Sequence, residues 1–225
     1  MYAALSLPFW WRWVVYCTLG ELLGISLVAA IAVAHLEWLG EPQNLVGKWL
    51  QLLIMLGAGT LEGLLLGWFQ ARMLQRRYPG FELRAWWRMT ALAAAIAWLL
   101  GMVYPVFFVP LDAPAVVSTE PDLLLSLLLY VGAGAALGTL VGAMQARVLR
   151  QWAYDTPRWI VGNAFGWAIG LGWMYLGASL PSLDTPVWLI VALGAAGGIL
   201  AGLSLGIVTG LVMGYIVPKS EPTTS

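Results

Sequence analysis

The chain has 225 residues, of which 61% are hydrophobic and 10% charged, and its mean hydropathy is +0.83. Soluble domains are about 45–50% apolar and about 25% charged, so this composition argues against a water-exposed enzyme, a nucleic-acid binder and a disordered chain. Eleven basic and eleven acidic residues cancel, which leaves no net field to steer a charged partner, and one cysteine (Cys17) with one histidine (His35) leaves no disulfide framework and no Cys/His metal cluster.

A helix needs about 20 apolar residues to cross a hydrocarbon core of about 30 Å. Six such runs follow one another: 13–34, 46–74, 86–109, 123–148, 159–180 and 187–217. The second, fourth and sixth exceed a minimal span and are expected to tilt or project. The first ends in Ala32-Val33-Ala34, which imitates a signal-peptidase site, but its apolar run is too long for a signal peptide and contains Glu21, so it is expected to be retained. Short breaks separate the runs: Glu41-Pro42-Gln43-Asn44, then Pro110 to Pro121, then Pro181 to Pro186. The expected fold is therefore an all-α integral membrane protein: one six-helix transmembrane domain over 1–225 with a short polar cytoplasmic tail at 218–225.

Ten of the eleven basic residues flank one side: Arg12, Arg72, Arg76, Arg77, Arg84, Arg88, Arg147, Arg150, Arg158 and Lys219; Lys48 stands alone on the other. The opposite loops carry Glu37, Glu41, Asp112, Glu120, Asp122 and Asp184. The positive-inside rule then puts both termini in the cytoplasm, in what we expect to be a bacterial cytoplasmic membrane, and the basic clusters touch anionic headgroups rather than nucleic acid. Of 14 tryptophans, Trp10, Trp11, Trp13, Trp38, Trp86, Trp87, Trp159 and Trp188 stand near span ends, where interfacial anchoring is expected.

The second and fourth runs resemble each other. Laying 57–74 on 132–149 gives 10 identities in 18 positions, including Gly59, Gly63, Gly67, Gln70 and Arg72 against Gly134, Gly138, Gly142, Gln145 and Arg147. The sixth run echoes them through Gly206, Gly210 and Met213, and the odd runs match as a tryptophan at each basic start (Trp13, Trp87, Trp159). Units at about 12–75, 84–150 and 158–217 would be three parallel-repeat helical hairpins about an axis along the membrane normal.

Glycine recurs at every fourth position: Gly20-Gly24, Gly59-Gly63-Gly67, Gly134-Gly138-Gly142, Gly162-Gly166-Gly170 and Gly198-Gly202-Gly206-Gly210-Gly214. Small residues at this spacing let helices approach backbone to backbone, so a glycine-zipper packing is expected, with a glycine-lined pore as the alternative. The five-glycine ladder drifts about 160° around its helix, which suggests two neighbours or a central position for the last span.

Two acids lie deep in the spans. Glu21 is about 14 Å from Arg12 along its helix and Glu62 about 15 Å from Arg72, which places both near the midplane. Both flank glycine stripes and so face protein, and their repeat counterparts are apolar: Leu137 for Glu62, and about Ala95 for Glu21. With no cation at their depth, at least one is expected to hold a proton, or the pair to share a bound cation; the structural alternative is a protonated pair bonded to backbone, Ser26 or Thr60. Gln70, Gln145 and Asn163 are further candidates for an ion path, or else interhelical glue. His35 and Cys17 lack the partners that catalysis or metal binding needs, and no phosphate loop occurs, so neither enzymatic activity nor a cofactor is expected.

Two functions fit these features. One is a small proton- or cation-coupled transporter or channel using Glu21 and Glu62. The other is a non-catalytic accessory or scaffold subunit of a larger membrane complex, docked on a membrane-protein partner or on a second copy of itself. Reporter fusions after Trp38, Arg77, Asp122, Arg158 and Asp184 are expected to alternate outside, inside, outside, inside, outside; an outside signal at Arg77 or Arg158 overturns the orientation.

Overall fold

A computed structural model describes residues 7–108, 123–182 and 184–219. It is all-helical: α1 (Leu7–Leu39), α2 (Leu45–Arg77), α3 (Leu83–Phe107), α4 (Leu123–Leu149), α5 (Pro157–Ser179) and α6 (Val187–Met213). Asp112, Glu120 and Asp122, with the break from Pro110 to Pro121, lie outside the described residues, as do 220–225 of the tail.

Five of the six helices are long and apolar enough to cross a membrane: α1, α2, α3, α4 and α6. The exception, α5, was expected to span as readily as the others. Its 23 residues include Arg158, Asn163, three tryptophans and five glycines, and these dilute its apolar character. α6 also stops short of the expected Val217. After Met213 the chain turns, and Tyr154 N–H donates to Val217 O while Lys219 N–H donates to Trp152 O. The start of the tail is thus pinned to the link between α4 and α5.

Local signals set several helix ends. Asn44 caps α2, its side chain accepting from Gly47 N–H at 2.9 Å, and the left-handed turn at Gly80 lets the chain reverse before α3. Carbonyls at the end of α6 and in the turn after it are met by arginines of other helices: Arg77 Nη2 donates to Met213 O and Ile216 O, and Arg158 Nη1 to Tyr215 O. These arginines tie helix ends together, a role that topology alone does not require.

The helices form a ring in chain order, closed by α6 packing on α1; of all neighbouring pairs, α3 and α4 pack most sparsely. The glycine positions explain three tight seams. On α2, a Cβ at Gly67 would lie 2.9 Å from the Cα of Trp87, and one at Gly59 would run into the Trp98 ring of α3. On α4, a Cβ at Gly134 or Gly138 would overlap the carbonyls of Trp167 and Asn163 on α5, and one at Gly142 would lie 2.8 Å from the Cα of Ile160. On α6, a Cβ at Gly202 would lie 2.7 Å from the Cα of Thr18 and one at Gly206 2.8 Å from the Cα of Val14, while Gly198 faces Ile25 and Gly210 faces Trp10 and Trp13.

Four of the five α6 glycines therefore ride on the single helix α1, and Gly214 follows the helix end. The last helix does pack on two neighbours, α1 and α5, as its drift suggests, but the stripe itself faces α1 alone and the helix is not central. The contact positions on α1 also step mostly by four (Trp10, Val14, Thr18), so its ridge drifts together with the ladder and one interface holds.

The tryptophans at the basic end also depart from expectation. Trp13, Trp86 and Trp159 are fully buried, so they are core residues and not interfacial anchors, whereas Trp11 and Trp38 are exposed. Trp13 and Trp86 each meet Trp159 edge-on, with ring centroids 5.8 and 5.7 Å apart. The α3 tryptophan that shares the burial of Trp13 and Trp159 is Trp86, not the expected Trp87.

Because a methyl at Gly138 would strike a backbone carbonyl, Gly138→Ala is expected to destabilise the bundle by about 1–3 kcal/mol. Gly132→Ala, where a Cβ meets nothing within 4 Å, is the control and is expected to leave thermal unfolding in detergent unchanged.

Candidate functional site

At the basic end, the three buried tryptophans each donate to a polar residue on an even-numbered helix. Trp86 Nε1 donates to Gln70 Oε1 at 3.2 Å, Trp159 Nε1 to Gln145 Oε1 at 3.0 Å, and Trp13 Nε1 to Thr209 Oγ1 at 3.0 Å. The two glutamines are joined, with Gln145 Nε2 donating to Gln70 Oε1 and to Thr90 Oγ1, both at 2.9 Å, and Gln70 Nε2 approaches Cys17 Sγ at 3.8 Å. Gln70 and Gln145 are almost wholly buried. Their amides are paired on both sides, which is what a polar group removed from water requires. The layer links α1, α2, α3, α4 and α5 directly and α6 through Thr209.

Asn163 stands apart from this network. Its Nδ2 donates to Trp159 O at 2.9 Å, while its fully buried Oδ1 has no partner among the described residues.

The two acids lie further along the bundle. Glu62 is 7% exposed, and its Oε2 accepts from Trp98 Nε1 of α3 at 2.6 Å. Its side chain crosses α1 at Gly24, where a Cβ would come within 2.8 Å of Glu62 Cγ. Glu21 is one turn away on α1, fully buried, with its Cβ against Gly202 of α6. Neither oxygen of Glu21 has a hydrogen-bond partner among the described residues, so the two carboxyls are close neighbours that do not bond to each other. Ser26 and Thr60 do not bond Glu21, and Thr60 Oγ1 turns back to Leu56 O at 2.7 Å. Among the described residues, neither carboxyl is hydrogen-bonded to a basic side chain.

Glu62 faces a cavity of about 480 Å³, bounded by residues of α1 to α5 and situated where α3 and α4 stand apart. Apart from Glu62 and Thr90, its wall is aliphatic and aromatic, with Trp98, Tyr130 and Trp167 supplying the rings. Leu66, Trp167 and Leu205 pack together beside it. The indole N–H of Trp167 has no partner among the described residues. Pro105, which has no N–H, cannot close the helix bond onto the carbonyl of Gly101, another wall residue. Groups of three or more His, Cys, Asp or Glu able to hold a metal are absent among the described residues.

The structure thus brings Gln70 and Gln145 together in one layer and Glu21 and Glu62 together in another, and leaves Asn163 out of both. Trp98 and the cavity were not foreseen. A tryptophan directly after the alanine-rich stretch Ala91 to Ala97 of α3, with Gly59 opposite, is the signal that could have raised Trp98. No protein-family model, curated protein or solved structure matches this chain.

Gln145 satisfies three partners at once. Gln145→Leu is expected to cost about 1–3 kcal/mol by leaving the donors and acceptors around it unpaired, seen as a lower unfolding temperature in detergent. Gln43→Leu, at an exposed link position, is expected to change nothing.

Proposed function

We propose that this protein is a small multi-pass membrane transporter in which the Glu21/Glu62 pair carries a proton in exchange for a cation. In this proposal both termini are cytoplasmic, the three helical hairpins are repeats packed along their glycine stripes, and no covalent chemistry is performed. The observation that carries it is Glu62 at the wall of a cavity inside the hydrophobic bundle, with Glu21 one turn behind it and without a hydrogen-bond partner among the described residues. Acids at such depth are expensive and are characteristic of ion and proton pathways.

The groups around the pair favour exchange over a purely structural role. The titratable neighbours are Cys17 on α1 and Tyr130 of α4 on the cavity wall; α6 carries no titratable residue, and the arginines of α3, α4 and α5 stand at the basic end. A positive charge must therefore come from outside the bundle, as a proton or as a bound cation. The tryptophan–glutamine layer closes the basic end, so passage requires that layer to part.

Sparse packing between α3 and α4 favours a second assignment, a subunit whose seam is filled by a partner helix. Glu62→Gln is expected to abolish proton-coupled cation flux in proteoliposomes while leaving the unfolding temperature within a few degrees of the parent. Infrared difference spectra across a pH titration are expected to show a carboxyl band that Glu62→Gln or Glu21→Gln removes. Absence of both flux and band, with a stoichiometric membrane partner after gentle detergent purification, would establish the subunit instead.

A further inference from the structure

The donor set around Glu62 is informative about which cation it meets. A hard inorganic cation is held by six or more oxygens, or keeps much of its water. Here the wall offers the Glu62 carboxyl, already bonded to Trp98, the Thr90 hydroxyl, already engaged by Trp86 O and Gln145, the Tyr130 hydroxyl and the Gly101 carbonyl that Pro105 leaves without its helix bond, fewer oxygens than such an ion needs. Dehydrating a metal ion into that environment is unfavourable. The remaining wall is made of Ile25, Ala94, Ala97, Leu137, Leu171 and similar side chains, together with three aromatic rings.

That combination suits a different kind of cation. Aromatic faces attract positive charge that is spread over carbon, most strongly where water is excluded. An ionised carboxyl has lone pairs to spare beyond the one that Trp98 occupies. The cavity volume lies within the usual range for drug-sized ligands. It lies at the sparsely packed seam between α3 and α4, in a bundle whose outer faces are apolar.

Resting on the proposal that the Glu21/Glu62 pair is the functional site, we infer that the cavity binds a membrane-soluble organic cation. Its charge lies against Glu62, its apolar substituents lie among Trp98, Tyr130 and Trp167, and it enters from the bilayer between α3 and α4. Proton and ligand compete for the same carboxyl, so binding weakens as the pH falls. Glu21, one turn away, is the acidic neighbour that bears on this competition.

The test is equilibrium binding to the full-length protein in detergent, using tetraphenylphosphonium and its isosteric anion tetraphenylborate, followed by calorimetry and tryptophan fluorescence. Tetraphenylphosphonium is expected to bind with one site, and Glu62→Gln to weaken it by about tenfold or more, as the loss of a charge-assisted contact implies. Tetraphenylborate is expected to bind Glu62→Gln no worse than the parent. Gly101→Leu fills the wall where a Cβ meets nothing within 4 Å and is expected to abolish binding with folding intact; it serves if Glu62→Gln does not fold. Equal binding of both ions, or of the cation to parent and both variants, overturns the inference. Binding without flux leaves the ligand class standing and overturns transport; proton-coupled flux of an inorganic cation without tetraphenylphosphonium binding does the reverse.

Discussion

Inside a bilayer the lipid tails are as apolar as the side chains, so burying leucine does not by itself hold helices together. What remains is close backbone contact and hydrogen bonding between helices, and this bundle depends on both. The glycines of α2, α4 and α6 remove the Cβ atoms that would otherwise hold α3, α5 and α1 away. Helices brought that close can then place one polar layer, Gln70, Gln145, Thr90 and Thr209, within reach of three tryptophans. Substituting either component undoes the other: a side chain at Gly67 moves Thr90, and an unpaired glutamine in lipid forces its helix to find another partner.

Trp13, Trp86 and Trp159 stand 73 residues apart, as do Cys17, Thr90 and Asn163 four positions later. In that register Gly20 and Gly24 of α1 correspond to Ala93 and Ala97 of α3 and to Gly166 and Gly170 of α5. The α1 glycines contact α2 and the α5 glycines contact α6. Where α3 has alanines instead, the neighbouring helix α4 stands off and the cavity occupies the gap. Two methyl groups do not by themselves hold a pocket open, but they mark the seam where the closest approach is lost.

The same register places Ala94 and Trp167 opposite Glu21, one residue from the alanine that sequence comparison suggested. The acids thus occupy positions whose counterparts are apolar, beside the one loosely packed seam. A bundle built for tightness elsewhere thus has its costliest side chains beside an internal cavity, at the seam where the packing is sparsest.

Composition and hydropathy alone determined that the chain is helical and membrane-embedded, because lipid leaves an isolated segment no other way to pair its backbone. Run lengths placed α2 to α5 to within about three residues at each end but missed five or six at each end of α1 and four at the end of α6, and fourfold glycine spacing singled out most of the close-packed faces. Depth, counted from Arg12 and Arg72, brought Glu21 and Glu62 to a common level. What periodicity could not decide was partnership. The α6 ladder faces a single helix, Trp13, Trp86 and Trp159 turn inward instead of to the interface, and Trp98 reaches across to Glu62. Each depends on which helix lies opposite and at what crossing. The cavity was the least legible feature of all, because an empty space between helices is a property of their arrangement and belongs to no residue in particular.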